Sequence, residues 1–185
     1  LPDGTVFTAG GNGGGSGAGT IDLWQGATGW RRMSGIDWAS VVRSEVPNSN
    51  EPNWHPFLML APDGRIAHFG PHRDLHWLTP AGTGSLAGAG ASIPGTHYPK
   101  QAAWAMYDVG KVLVAGGMRS IAQYDVVNSA FTVDMNGATP VVTTVEPMAF
   151  PRALANSVIL PNGEVMVVGG TFVGYLGSDA GTIYT

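Results

Sequence analysis

Leu1-Pro-Asp-Gly4 leads into Val6-Phe7-Thr8-Ala9-Gly10-Gly11, and this phrase returns three times along the chain. Ala61-Pro-Asp-Gly64 precedes His68-Phe69-Gly70. Tyr107-Asp-Val-Gly110 precedes Val112-Leu113-Val114-Ala115-Gly116-Gly117. Leu160-Pro-Asn-Gly163 precedes Val165-Met166-Val167-Val168-Gly169-Gly170. Each phrase carries the chemistry of a tight turn. Proline presets φ, Asp or Asn bonds its own backbone, and glycine takes the φ > 0 position. Apolar runs flank each turn, so each phrase reads as a hairpin.

The four turn glycines lie 60, 46 and 53 residues apart. A strand-and-turn period of about 50 residues is the mark of a kelch-type propeller blade. The second strand of each hairpin is nearly all apolar in two repeats, which predicts cover on both faces. The glycine pairs then mark places where packed sheets leave no room for a Cβ. Aromatics follow the glycines: Trp24 and Trp30, Trp77, Tyr124 and Phe131, and Tyr184. Their recurrence with the repeat favours packing between blades over stacking on a cofactor.

Composition agrees. With 28 glycines, 13 prolines and 12% charged residues, the chain does not have the make-up of a helical protein. Asp37 to Arg43 has room for one helical turn, and the expected class is all-β. A net charge of −4 with only two lysines, Lys100 and Lys111, opposes nucleic-acid binding, which needs clustered cations. Arg31-Arg32 is the only adjacent basic pair and reads as a solvated strand edge. No apolar run reaches the length of a membrane span. The absence of cysteine excludes disulfides within these residues. Gly10 to Gly19 is a low-complexity loop; no Lys-Ser/Thr follows it, so it does not read as a phosphate cradle.

We therefore expect one partial kelch propeller over 1–185, with repeat turns at 1–4, 61–64, 107–110 and 160–163 and no second domain. It amounts to about three and a half blades. Propellers close their rings to protect strand edges, so the remaining blades of the same protein are the expected partner.

The phrases quoted above, in this order, resemble the propeller of the galactose oxidase and glyoxal oxidase family, the copper radical oxidases. Ala105-Met106-Tyr107-Asp108, and Pro151-Arg152 running to Ser157-Val-Ile-Leu-Pro-Asn-Gly163, carry the likeness beyond a generic repeat. The resemblance implies a seven-bladed ring. It also implies a copper with a Tyr-Cys radical cofactor, oxidation of a primary alcohol or aldehyde by O2 with release of H2O2, and an extracellular or cell-envelope location.

Carried over residue by residue, the resemblance puts the copper ligands and the radical tyrosine outside this segment. The equivalent innermost-strand position in the fourth repeat reads Ala153-Leu154-Ala155. The expected role of the segment is therefore scaffold and rim, inactive alone. Its rim candidates are Asn12, Glu51, His55, Met118, Arg119 and Thr171. Asn12-Gly13 stands where the family has an aromatic shielding the radical. The short passage after Met118-Arg119 replaces a sugar-binding loop of the galactose oxidisers. Both departures leave open a non-catalytic propeller that binds a glycan or protein partner.

Two further candidates come from spacing. His72, Asp74 and His76 share one strand face and make a metal or acid-base cluster on paper, although the resemblance places no metal there. His55 is either a channel-lining residue or a hydrogen-bonded histidine of the ring.

Overall fold

The computed structural model describes residues 1–10, 21–38, 56–70, 73–95, 98–119 and 125–172. The described residues are all-β, in antiparallel sheets whose strands follow one another in sequence. The first sheet is β1 (Val6–Thr8), β2 (Asp22–Trp24) and β3 (Trp30–Arg32). The second is β4 (Leu58–Leu60), β5 (Ile66–His68), β6 (Asp74–Thr79) and β7 (Ser85–Ser92). The third is β8 (Ala103–Asp108), β9 (Lys111–Ala115), β10 (Ala130–Asp134) and β11 (Val141–Val145). The fourth is the hairpin of β12 (Asn156–Ile159) and β13 (Val165–Val168). This is the meander of propeller blades that the repeat predicts. The expected helical turn at 37–43 falls largely outside the described residues, as do Tyr124 and Tyr184.

The hairpin turns close as their residues dictate. Gly4, Gly64 and Gly163 each donate a backbone N–H three residues back, to Leu1, Ala61 and Leu160, at 2.9–3.0 Å. The Asp3 carboxylate accepts from the Thr5 amide and hydroxyl, Asp63 from the Arg65 amide, and the Asn162 side chain from the Glu164 amide. In the third repeat Asp108 accepts from the Val109 amide and pairs with Lys111 at 3.2 Å. Those contacts hold the Asp108 carboxyl below its ordinary range, the Val109 amide first and Lys111 next. Asp134 is lowered in the same way by the backbone amide of Asn136 and then by its side chain.

The chain divides into two compact units, Leu1–Phe69 with His76–Gly88, and Gly70–Leu75 with Ala89–Thr185. The core of the first gathers Ile21, Leu23, Met33, Ile36, Trp38, Ile66 and Leu78. In the second, alternation along β9 buries Val112 and Val114, which face Val133 and Phe131 of β10 across the ladder. Burying side chains of this size contributes roughly 1.5–3 kcal/mol each.

The structure adds to three sequence readings. Trp24 and Trp30 pair with each other across β2 and β3, and Trp30 is 62% exposed. Leu23 already takes the inward position, and the two-residue alternation of a strand turns Trp24 outward. Phe131 and Trp77 are buried as expected, with the Arg65 guanidinium 3.8 Å from the Trp77 ring centre. Arg31 is not merely a solvated edge. It donates to the carbonyls of Gly82 and Pro80 and to the Gln25 side chain, while Arg32 pairs with Asp22. Finally, within these residues one face of β13 is open: Met166 is 47% exposed and Val168 also reaches solvent.

Candidate functional site

The ends of β5, β9 and β13 carry the glycines, and the segments after them make the candidate rim. Gly170 shows why glycine is required there. Its φ is +87°, and a Cβ would stand 2.7 Å from the Ala153 carbonyl oxygen. Backbone comes that close because Ala153 and Thr171 exchange two hydrogen bonds of 2.8 Å. Gly117 repeats the arrangement, with φ +102° and a would-be Cβ 2.9 Å from the Tyr98 carbonyl. Tyr98 and Met118 in turn exchange bonds of 2.8 and 3.1 Å. In each of these two repeats a rim residue is thus clamped to the entry of the innermost strand.

The rim candidates fare differently. Thr171 sits in its bridge and is partly exposed. Arg119 is exposed, bonds the Asp125 carbonyl through its amide, and holds its guanidinium 3.8 Å from the Asp125 carboxylate. Met118 is corrected. Its side chain is fully buried because its backbone bridges both Tyr98 and Val126, so it contributes geometry rather than a solvent-facing contact. Asn12, Glu51, His55 and His72 lie outside the described residues. Arg152, quoted in the sequence only as part of a longer phrase, reaches Gly169 O with its guanidinium at 2.6 Å and is a rim residue in its own right. Its place directly before the innermost strand of the fourth repeat is the signal that marks it. The polar groups at this edge include the guanidinium of Arg119, which faces the Asp125 carboxylate, and the hydroxyl of Thr171.

The second repeat holds a pair the sequence did not single out. His68 ends β5 and faces His76 of β6 in the ladder. Their ring centres are 5.6 Å apart, and Trp38 meets His68 edge-on at 4.9 Å. His68 is fully buried. Their separation of eight residues, across Gly70-Pro71 in the sequence, was the readable sign of this pairing. Of the expected trio His72, Asp74 and His76, Asp74 is exposed and accepts a 2.6 Å bond from the Ser92 hydroxyl. Among the described residues, no three His, Cys, Asp or Glu side chains are grouped so as to hold a metal ion.

At the opposite ends of the strands, an open cleft of about 430 Å³ lies against Asp3, Gln25, Arg31, Asp63 and Arg65. Its cations are engaged, Arg31 by the 80–82 carbonyls and Arg65 by Asp63 and Trp77. It reads as a seam rather than a ligand site. Among the described residues no helix is long and apolar enough to cross a membrane.

No family model matches the chain. Individual relatives do. An aldehyde oxidase of Arabidopsis thaliana is 28% identical over 153 residues, covering 71% of this chain and 24% of the relative. A galactose oxidase of Gibberella zeae is 24% identical over the whole of this chain and 29% of its own length. The chain thus spans about a quarter of the length of the curated relatives it matches. Among solved structures, a fungal alcohol oxidase of the AA5 family in complex with copper superposes with a TM-score of 0.80 at 27% identity. That match covers 96% of this chain and 37% of the other. The structure of YjhT matches with a TM-score of 0.65 at 14% identity, over 95% of this chain and 58% of the other, a likeness of fold alone. In sequence and in fold alike, the chain is galactose oxidase- and glyoxal oxidase-like.

Proposed function

We propose that these residues form kelch-type blades of an extracellular copper-dependent oxidase. The parent protein takes a primary alcohol to an aldehyde, or a hydrated aldehyde to an acid. Two electrons and two protons leave the substrate, and O2 is reduced to H2O2. The observation that carries this reading is the match, over nearly the whole chain, to a copper-bound fungal alcohol oxidase.

Within that parent the segment supplies scaffold and rim. Arg119 and Thr171, after the glycine pairs, are its rim residues, with Asn12, Glu51 and His55 as further candidates from the sequence and Met118 acting through its backbone. Copper, when bound, supplies the redox chemistry, and its ligands and the radical tyrosine belong to other parts of the parent. The exposed apolar residues Val158, Met166 and Val168 are the surface on which a further blade of the same protein packs. The short stretch of sequence between Met118 and Asp125 suits small alcohols or aldehydes rather than galactose held by a long loop.

The test is a peroxidase-coupled H2O2 assay on the copper-loaded parent with benzyl alcohol, glyoxal and galactose. Turnover on the first two, abolished by chelation, is the expected result. Silence on all three would leave a propeller that binds a glycan or protein without catalysis.

A further inference from the structure

Two residues other than glycine have positive φ among the described residues, Gln101 at 60° and Leu154 at 57°. They are joined to each other: the Leu154 amide donates to the Gln101 carbonyl at 2.8 Å. Left-handed backbone is uncommon for such residues and persists where the surroundings over-determine it. Here they do.

Gln101 is the third residue of a β-turn closed by the Ala102 amide donating to Pro99 O at 3.0 Å, a place where positive φ ordinarily calls for glycine or asparagine. The same turn begins beside Tyr98, whose carbonyl and amide hold Met118. Leu154 follows Ala153, whose carbonyl and amide hold Thr171. A second bond runs parallel to the first, from the Gly117 amide to Arg152 O at 2.8 Å. Deeper in the strands, the Ser157 hydroxyl bonds the Trp104 carbonyl at 2.5 Å. An unbroken run of backbone bonds therefore connects the rim at Met118 to the rim at Thr171, and the strained pair is its central link.

We infer that Gln101 and Leu154 are a positioning pair, which fixes the rim segments of the third and fourth repeats relative to each other. The backbone of Gln101, not its side chain, does the holding. Glycine at position 101 keeps the carbonyl and adopts the same φ freely, so it preserves the link. A β-branched residue resists left-handed backbone and swings the carbonyl away from Leu154.

The test is amide hydrogen exchange on the full-length protein carrying Gln101→Val, with Gln101→Gly as the conservative control. In the valine variant, exchange at Met118, Leu154 and Thr171 is expected to quicken about tenfold, while Val112 to Val114 in β9 stay protected as before. The glycine variant is expected to match the wild type. Two results overturn the inference: unchanged exchange at Met118 and Thr171 in a folded valine variant, or an equal rise at every amide including β9, which would mean general destabilisation. If the valine variant does not fold, Gln101→Ala takes its place with the same readout and a smaller rise.

A kinetic arm rests on the oxidase reading, whereas the exchange arm does not. In the copper-loaded parent, Gln101→Val is expected to raise KM for benzyl alcohol about fivefold with kcat within about twofold, and Gln101→Gly to restore KM. A fall in kcat with KM unchanged would contradict a positioning role. Absence of turnover in the wild type would count against the oxidase reading and leave the exchange result to decide the pair.

Discussion

Gly163 and Gly170 offer a matched pair of substitutions. Their φ values are nearly equal, +85° and +87°. A Cβ at Gly163 would meet nothing within 4 Å, whereas at Gly170 it would lie 2.7 Å from Ala153 O and 3.0 Å from the Ala155 Cβ. Left-handed backbone costs an alanine roughly 1–2 kcal/mol. The lower entropy of the unfolded alanine chain returns about 0.4–1 kcal/mol. Gly163→Ala is therefore expected to destabilise by about 1 kcal/mol. At Gly170 the overlap adds the cost of forcing packed backbone apart, roughly 1–3 kcal/mol. That displacement acts on the Ala153 carbonyl that accepts from Thr171, so the rim moves with it. Guanidinium unfolding of the two variants, compared at equal m, measures the difference. Equal losses would refute the claim that the glycine pair exists to admit a neighbouring backbone.

Other expectations follow from burial and charge. Leu78→Ala removes a side chain with no solvent exposure and should cost about 2–5 kcal/mol, whereas Val109→Ala at the exposed turn between β8 and β9 should cost about 1 kcal/mol or less; a reversed order in denaturant midpoints would contradict the described core. Arg31→Met, which keeps the apolar stem and loses the donors to Gly82 and Pro80, should lower stability by about 1 kcal/mol, and a neutral result would show that those bonds contribute nothing net. Asp108 and Asp134 have lowered carboxyl values, so their contribution is present above the unfolded carboxylate range near pH 4 and is lost as pH falls through the folded values. Melting temperature should decline on acidification in that window, and the double variant Asp108→Asn, Asp134→Asn should flatten the decline. An unaltered slope would remove these turns from the acid response.

Much of the fold was legible because its punctuation is local. Pro, Asp or Asn, and Gly at each turn act through bonds to their own neighbours, as Asp3 does with Thr5 and Asn162 with Glu164. The glycine pairs were legible for the same reason: only glycine fits where Gly117 and Gly170 sit. What escaped reading depends on register and on contacts between distant residues. The face on which Trp24 lies follows from Leu23 being inward, which a three-residue strand does not announce. Arg31 finds its acceptors some fifty residues away, at Pro80 and Gly82. His68 and His76 meet only through the β5–β6 ladder. The strained pair was hidden because Gln101 and Leu154 are not residues that advertise positive φ. The candidate rim was half legible: position after the glycines marked Arg119 and Thr171, but the burial of Met118 came from a bridge to Tyr98 and Val126.

An experimental structure of the full-length parent bears most directly on the central claim. The account predicts these four sheets as successive antiparallel blades of one ring, with the glycine-bearing ends of β1, β5, β9 and β13 turned toward the copper side. A closed two-sheet sandwich, or helices crossing between parallel strands anywhere in residues 1–185, would contradict it.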